Sequence, residues 1–211
     1  MEDAYDEGVA YWDKRYLEEP KPSDWILKPK QLSEVLAKLV PRASESKILH
    51  VGCGNSLLPE EMHDDRGCKQ QVNIDTSAVV IQQMQARNSE LRPQLQWLVM
   101  DATAMDFPDA HFDVVIDKGT LDTILCEDDE DHTMVAAYLR EVTRVMASGG
   151  VFVAVTFGPP EVRMKYFVPR FSVETIEVPS TNVKISHCQW VYACRKGNAD
   201  FTETCAPCRG D

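Results

Sequence analysis

Residues 47–56 read Lys-Ile-Leu-His-Val-Gly-Cys-Gly-Asn-Ser. The apolar run from Ile48 to Val51 stops at Gly52-Cys53-Gly54, and a second apolar run, Val72-Asn73-Ile74, closes on a carboxylate, Asp75. This is the pattern of a buried strand, a glycine turn, a helix and a second strand ending in an acid. Glycines at the turn let a ligand approach the backbone closely. The acid falls where the two hydroxyls of a ribose sit in such a unit. The stretch therefore predicts a site for a nucleoside-containing cofactor.

Spacing narrows the choice. A dinucleotide fingerprint places a third glycine three residues after the second, but that position is Leu57 and the next glycine is Gly67. A pyrophosphate needs the tight turn and a helix N-terminus aimed at it. S-adenosylmethionine carries no phosphate and accepts a looser loop, so the spacing favours it.

Further strands follow at residues 95–101, 112–117 and 151–156, ending at Asp101, Asp117 and Thr156. Their near-continuous apolar character suits parallel strands covered on both faces. Between them, residues 78–87 and 133–146 carry apolar positions at helical spacing, and Gly149-Gly150 is expected to end the second helix. Alternating strands and helices predict a doubly wound α/β sheet, with ligands beyond the carboxyl ends of the strands. Residues 30–39 read as a further helix, and residues 171–178 and 184–195 as two more strands.

The chain has 211 residues, enough for one domain with a sizeable core. Its net charge of −12 argues against a nucleic-acid substrate and suits a basic protein partner, or simply solubility. No run of 18 apolar residues is present, so no membrane span is expected. The acidic start Met-Glu-Asp-Ala-Tyr-Asp does not read as a signal peptide, which makes the cytoplasm the default compartment. Seven irregularly spaced cysteines suit reduced thiols. Cys205 and Cys208 form an isolated C-x-x-C in a polar tail, so no metal site is expected. Residues 1–198 read as a single domain with an N-terminal helical cap over 1–40, and 199–211 as a flexible tail.

The strings VGCGNS, NIDTSAVVIQQMQAR, MDATAMDFPDAHFDVVIDKGTLD and EVTRVMASGGVFVAVTFG, spread between Val51 and Gly158, resemble the class I S-adenosylmethionine-dependent methyltransferases. More closely, they resemble the methyltransferase-like group that includes lysine methyltransferases of translation elongation factor 1-alpha. YWDKRY at 11–16 and the Asp24-Trp25 pair are similar to that group's N-terminal segment. The resemblance implies a Rossmann-like, mostly parallel seven-stranded sheet whose last two strands form an antiparallel edge. It also implies methylation of a protein lysine. A small-molecule methyltransferase and a non-enzymatic binding module are the alternatives.

The same resemblance suggests roles. Gly52 and Gly54 pass under the methionine part of the cofactor, and Asp75, with Thr76 beside it, takes the ribose. Asp101 and Ala102 take the adenine, and Lys118 contacts the cofactor. Trp12 and Tyr16, four residues apart on one helix face, lie with Trp25 over the methionine end, or else latch the N-terminal helix to the sheet. The alternative readings are a helix N-cap for Asp75 and a turn residue for Asp101. Asp117 and Asp122 are the candidate catalytic carboxylates, Asp122 as partner for an incoming amine or as a helix-start acid. The acidic run 127–131 reads as a solvated helix start or a docking patch for a basic segment.

Overall fold

A computed structural model describes residues 8–128, 131–168, 170–179 and 189–196. Seven strands form one sheet in the order β3-β2-β1-β4-β5-β7-β6. They are β1 (Ile48–Val51), β2 (Gln71–Asp75), β3 (Gln96–Val99), β4 (Phe112–Lys118), β5 (Met146–Thr156), β6 (Phe171–Val178) and β7 (Gln189–Lys196). The first five run parallel, and β7 pairs antiparallel with both β5 and β6. The predicted doubly wound, mostly parallel seven-stranded α/β sheet is the one observed.

The helices are α1 (Val9–Glu18), α2 (Pro29–Leu39), α3 (Leu58–Arg66), α4 (Ala78–Asn88), α5 (Thr120–Glu127), α6 (Thr133–Val145) and α7 (Pro160–Phe167). Period-two alternation divides each central strand between two apolar layers. Leu49, Val51, Val115, Phe152 and Ala154 pack with Tyr138, Leu139, Val142 and Val145 of α6. Ile48, Val114, Ile116, Val153 and Val155 pack with Leu32, Leu36 and Leu39 of α2. Both faces of β1 and of the second half of β5 are buried, which is why those stretches read as unbroken apolar runs.

Some boundaries differ from expectation. Gly149 and Gly150 do not end α6; they lie inside β5, where the register with β4 shifts between Phe112 and Val114. A Cβ at Gly150 would stand 2.8 Å from Met146 Cγ, so the irregular stretch requires a glycine there. The third strand stops at Val99, and Asp101 lies beyond it in a turn. The last strand begins at Gln189; residues 184–188 of its expected span lie outside the described residues, as do the 199–211 tail and Cys205 and Cys208.

Candidate functional site

The carboxyl ends of β1, β2, β3 and β4 open into a cavity of ≈ 260 Å³. Its floor is the loop after β1. Gly52 and Gly54 have φ of +54° and +51°, in the left-handed region that favours glycine. A Cβ at Gly52 would meet Thr120 Oγ1 at 2.0 Å, and one at Gly54 the Tyr16 hydroxyl at 2.8 Å. The loop is pinned to β2, because Cys53 N donates to the Ile74 carbonyl at 2.9 Å.

Asp75 ends β2 in the cavity wall. Its two carboxylate oxygens accept from Gly54 N at 2.9 Å and Ser77 N at 3.0 Å. Burial raises its pKa and these backbone donors oppose the rise. The N-cap of α4 is Ser77, whose hydroxyl accepts from Val80 N at 3.2 Å, so Asp75 is not the cap. Thr76 lines the cavity next to it, and Met100, Asp101, Ala102 and Thr103 supply the wall beyond β3. Asp101 accepts from Thr103 N at 2.7 Å and Thr103 Oγ1 at 2.8 Å, so it makes a tight turn while facing the cavity. The fourth wall is α5, which presents Thr120, Thr123, Ile124 and Glu127 at i, i+3, i+4 and i+7.

The roof comes from the N-terminal segment. Trp12 and Tyr16 stack with centroids 6.1 Å apart, and Trp25 lies 5.9 Å from Trp12. The Arg15 guanidinium sits 4.6 Å over the Trp25 ring, on the flank of the cluster. The α1 helix docks on α4 rather than on the sheet. Asp13 accepts from Ser77 Oγ at 2.5 Å and Val79 N at 3.3 Å, and Gln83 donates to the Tyr16 carbonyl at 2.9 Å.

All ten residues expected at a cofactor, Trp12, Tyr16, Trp25, Gly52, Gly54, Asp75, Thr76, Asp101, Ala102 and Lys118, border this cavity. The two candidate catalytic carboxylates are not among its lining residues. Asp117 is fully buried and accepts from Thr120 N at 2.8 Å, Leu121 N at 3.0 Å and the Tyr138 hydroxyl at 2.7 Å. Burial pushes its pKa up to about 7 against the pull of those donors. Asp122 accepts from Thr156 Oγ1 at 2.5 Å and Phe157 N at 3.3 Å, and pairs with Arg163 at 2.5 Å. Both carboxylates thus fasten the start of α5. In the acidic run, Asp128 accepts from Met134 N at 2.8 Å and Val135 N at 3.2 Å, as a helix-start acid does. Residues 129 and 130 lie outside the described residues.

Sequence reasoning missed the fasteners of the roof. Asn55 Oδ1 accepts from Ser23 N at 3.1 Å, and its amide donates to the Lys21 carbonyl at 2.8 Å. The Asp24 carboxylate accepts from Ser56 Oγ and pairs with Lys118 Nζ at 3.2 Å. Only the group-like strings GCGNS and Asp24-Trp25 hinted at these partners.

A family profile described as a methyltransferase domain matches residues 49–154, from β1 into β5. The chain belongs to this methyltransferase domain family. The domain is 44% identical over 171 residues to the eEF1A lysine and N-terminal methyltransferase of Bos taurus, covering 79% of this chain and 24% of that protein. It is 36% identical over 170 residues to EEF1A lysine methyltransferase 4 of Mus musculus, covering 75% of this chain and 64% of that protein. The chain thus spans about a quarter of the length of the first of these relatives. Among solved structures, a Burkholderia thailandensis 1,6-didemethyltoxoflavin-N1-methyltransferase with bound S-adenosylhomocysteine superposes with a TM-score of 0.65. That match has 16% identity and covers 92% of this chain and 87% of that chain; at this distance the likeness is one of fold. Among the described residues no helix is long and apolar enough to cross a membrane, and no three His, Cys, Asp or Glu gather as a metal site.

Proposed function

We propose that this methyltransferase domain uses S-adenosylmethionine to methylate a lysine ε-amine of a protein substrate. The observation that carries the reading is Asp75 facing a cavity floored by two side-chain-free glycines. A carboxylate offers about four acceptor sites, so the bonds from Gly54 and Ser77 leave capacity for a ribose diol. Both floor glycines line the cavity, and the space that a Cβ would take at each is already filled by Thr120 or Tyr16, so the floor has to stay free of side chains. The residues present therefore fit the cofactor. Asp75 and Thr76 would hold the ribose, Asp101 and Ala102 the adenine, and the Gly52–Gly54 loop the methionine part.

When bound, S-adenosylmethionine supplies a methyl carbon on a sulfonium sulfur, open to attack by a neutral amine. The chain's own part is positioning and exclusion of water. Trp12, Tyr16 and Trp25 form an aromatic roof that favours a cation beneath it. A lysine amine, with an ordinary pKa near ~10.4, must lose a proton before it attacks. An aromatic, partly desolvated wall lowers that pKa. Asp117 and Asp122 contribute in this reading by fixing α5, whose cavity-facing side borders the site.

The named relatives make translation elongation factor 1-alpha the first candidate substrate. Glu127 gives the cavity wall an acidic group suited to a basic segment of it. Cytosolic residence belongs to the same proposal and suits Cys53, Cys68, Cys126 and Cys194, which stand as free thiols. The relatives' name also covers N-terminal methylation, and an α-amine, with a pKa near ~7.7–8.0, needs less help to deprotonate. Tritiated-methyl transfer onto cytosolic extract, resolved by gel and mapped by mass spectrometry, tests the reading. Label on a protein lysine is the expected result. Label on a protein N-terminus, or only in small molecules, would replace the substrate, and no label at all would contradict the activity.

A further inference from the structure

The N-terminal segment has an unusual attachment. Gly8, Val9, Trp12, Tyr16, Ser23 and Trp25 all border the cavity, yet every residue of α1 remains at least partly exposed. Its hydrogen bonds to the rest of the chain run through Asp13, the Tyr16 carbonyl, Ser23 and Asp24, and Tyr16 also packs against the apolar cluster of Val80, Ile81 and Met84. Fully buried apolar residues begin only at Leu27, 1% exposed, and continue through Leu32 and Leu36.

Between the two regimes sits Ile26, with φ of +64°. A β-branched residue is disfavoured in that region. The conformation is held by a three-residue turn in which Leu27 N donates to the Trp25 carbonyl at 2.7 Å, a strained type of turn when its central φ is positive. The Trp25 carbonyl also accepts from Lys118 Nζ at 3.3 Å.

Asp24 stands just before this turn and touches both sides of the cavity floor. It accepts from Ser56 Oγ and from Leu57 N, at 3.4 Å for the latter, where α3 begins. It also pairs with Lys118 at the end of β4, both side chains being 8% exposed. A buried ammonium that loses its carboxylate is left uncompensated. Closure therefore satisfies Lys118 as well as a carboxylate at the start of α3, where the helix dipole favours an anion.

We propose that Asp24 is a positioning residue that latches residues 8–25 over the cofactor cavity, with Ile26 as the pivot between this lid and the rooted core. The proposal rests on the S-adenosylmethionine reading for the identity of what is enclosed. The latch itself is a property of the chain alone. A cofactor that needs the closed lid binds more weakly in proportion to the fraction of molecules that are closed.

The test uses the full chain as wild type, Asp24→Asn and Asp24→Ala, with calorimetric titration of S-adenosylhomocysteine and limited trypsin digestion with and without it. Cleavage after Lys14 and Arg15 reports lid opening. Loss of the latch is expected to speed that cleavage in ligand-free protein and to weaken binding by about tenfold or more in Asp24→Ala. Asp24→Asn, which keeps an acceptor for Ser56 and Leu57, should lie between. If Asp24→Ala fails to fold, Asp24→Asn carries the same test. Equal affinity and equal cleavage in variant and wild type would overturn the latch. So would an affinity loss accompanied by cleavage throughout the chain, since that would make Asp24 only a structural cap for α3. Wild type that binds no S-adenosylhomocysteine would sink the cofactor reading, while the ligand-free cleavage rates would still decide the latch.

Discussion

The central strands β1 and β5 and the N-terminal segment 8–25, which covers the cavity, are held in place by different forces. The strands are fixed by apolar burial on both faces, with Leu49, Val153 and Ala154 fully inaccessible. The segment is fixed mainly by polar bonds to residues tens of positions away, such as Asp13 to Ser77 and Asp24 to Ser56, with Tyr16 alone of its residues packed against a buried apolar cluster among the described residues. Burial of a large apolar side chain stabilises by roughly 1.5–3 kcal/mol, whereas a typical hydrogen bond contributes net about 0.5–1.5 kcal/mol. The contrast teaches that the floor of the site is built with the fold, while its roof is a separate and weaker attachment. Parts that must open to admit a ligand are drawn from the low-stability end of a structure.

The contrast is broken most easily from the core side. Phe152 is fully buried, with Tyr138, Phe167 and Phe171 at centroid distances of 6.3, 6.2 and 6.1 Å. Phe152→Ala should cost about 3–5 kcal/mol in chemical denaturation while leaving cofactor affinity per folded molecule close to wild type. A loss below about 1 kcal/mol would mean that the sheet is not the rigid partner.

A pH term of similar size also belongs to the core. His50 in β1 is buried and bonded to Gln71 Oε1 at 2.7 Å, and burial pushes its pKa down to about 4 from 6.5. Its contribution is fully present above pH 6.5 and is lost as pH falls toward 4, on the order of 3 kcal/mol in total. Asp117, raised from 3.8 to about 7, works in the opposite sense, losing stability as pH rises through that range. The advantage of wild type over His50→Gln should therefore shrink as pH drops from 6.5 to 4 in denaturation curves. A constant difference would contradict the buried neutral ring.

Smaller effects sharpen the picture at the cavity. Asp75→Ala should weaken S-adenosylhomocysteine binding by at least about 1.5 kcal/mol, since a hydroxyl bonded to a charged acceptor is worth that much. The fold should survive because Ser77 caps α4. Calorimetry showing undiminished affinity would return Asp75 to a purely structural role. Trp12→Ala should change stability least, by under about 1 kcal/mol, because the side chain is only partly buried. It should still lower cofactor affinity. A thermal shift without an affinity change would make the aromatic roof a latch for α1 and nothing more.

The division between floor and roof also explains what could be read from the sequence. Burial on two faces writes continuous apolar runs, so β1, β4 and β5 were visible, and Gly52, Gly54 and Asp75 stood where the runs ended. The Gly149-Gly150 pair was misplaced because a helix end and a strand irregularity use glycine for the same backbone freedom. Polar fasteners have no period. Asp13, Asp24 and Asn55 pair with partners far along the chain, and nothing local distinguishes them from solvated residues. Asp117 and Asp122 looked catalytic because they flank the end of β4. Three donors to one and an arginine partner to the other hold them in the framework.

Hydrogen exchange of the full chain with and without S-adenosylhomocysteine tests the central claim most directly. The account predicts that ligand slows exchange strongly over residues 8–25 and the cavity loops. Residues 48–51 and 151–156, already protected by burial, should change little. Equal slowing across the core strands, or none over residues 8–25, would contradict it.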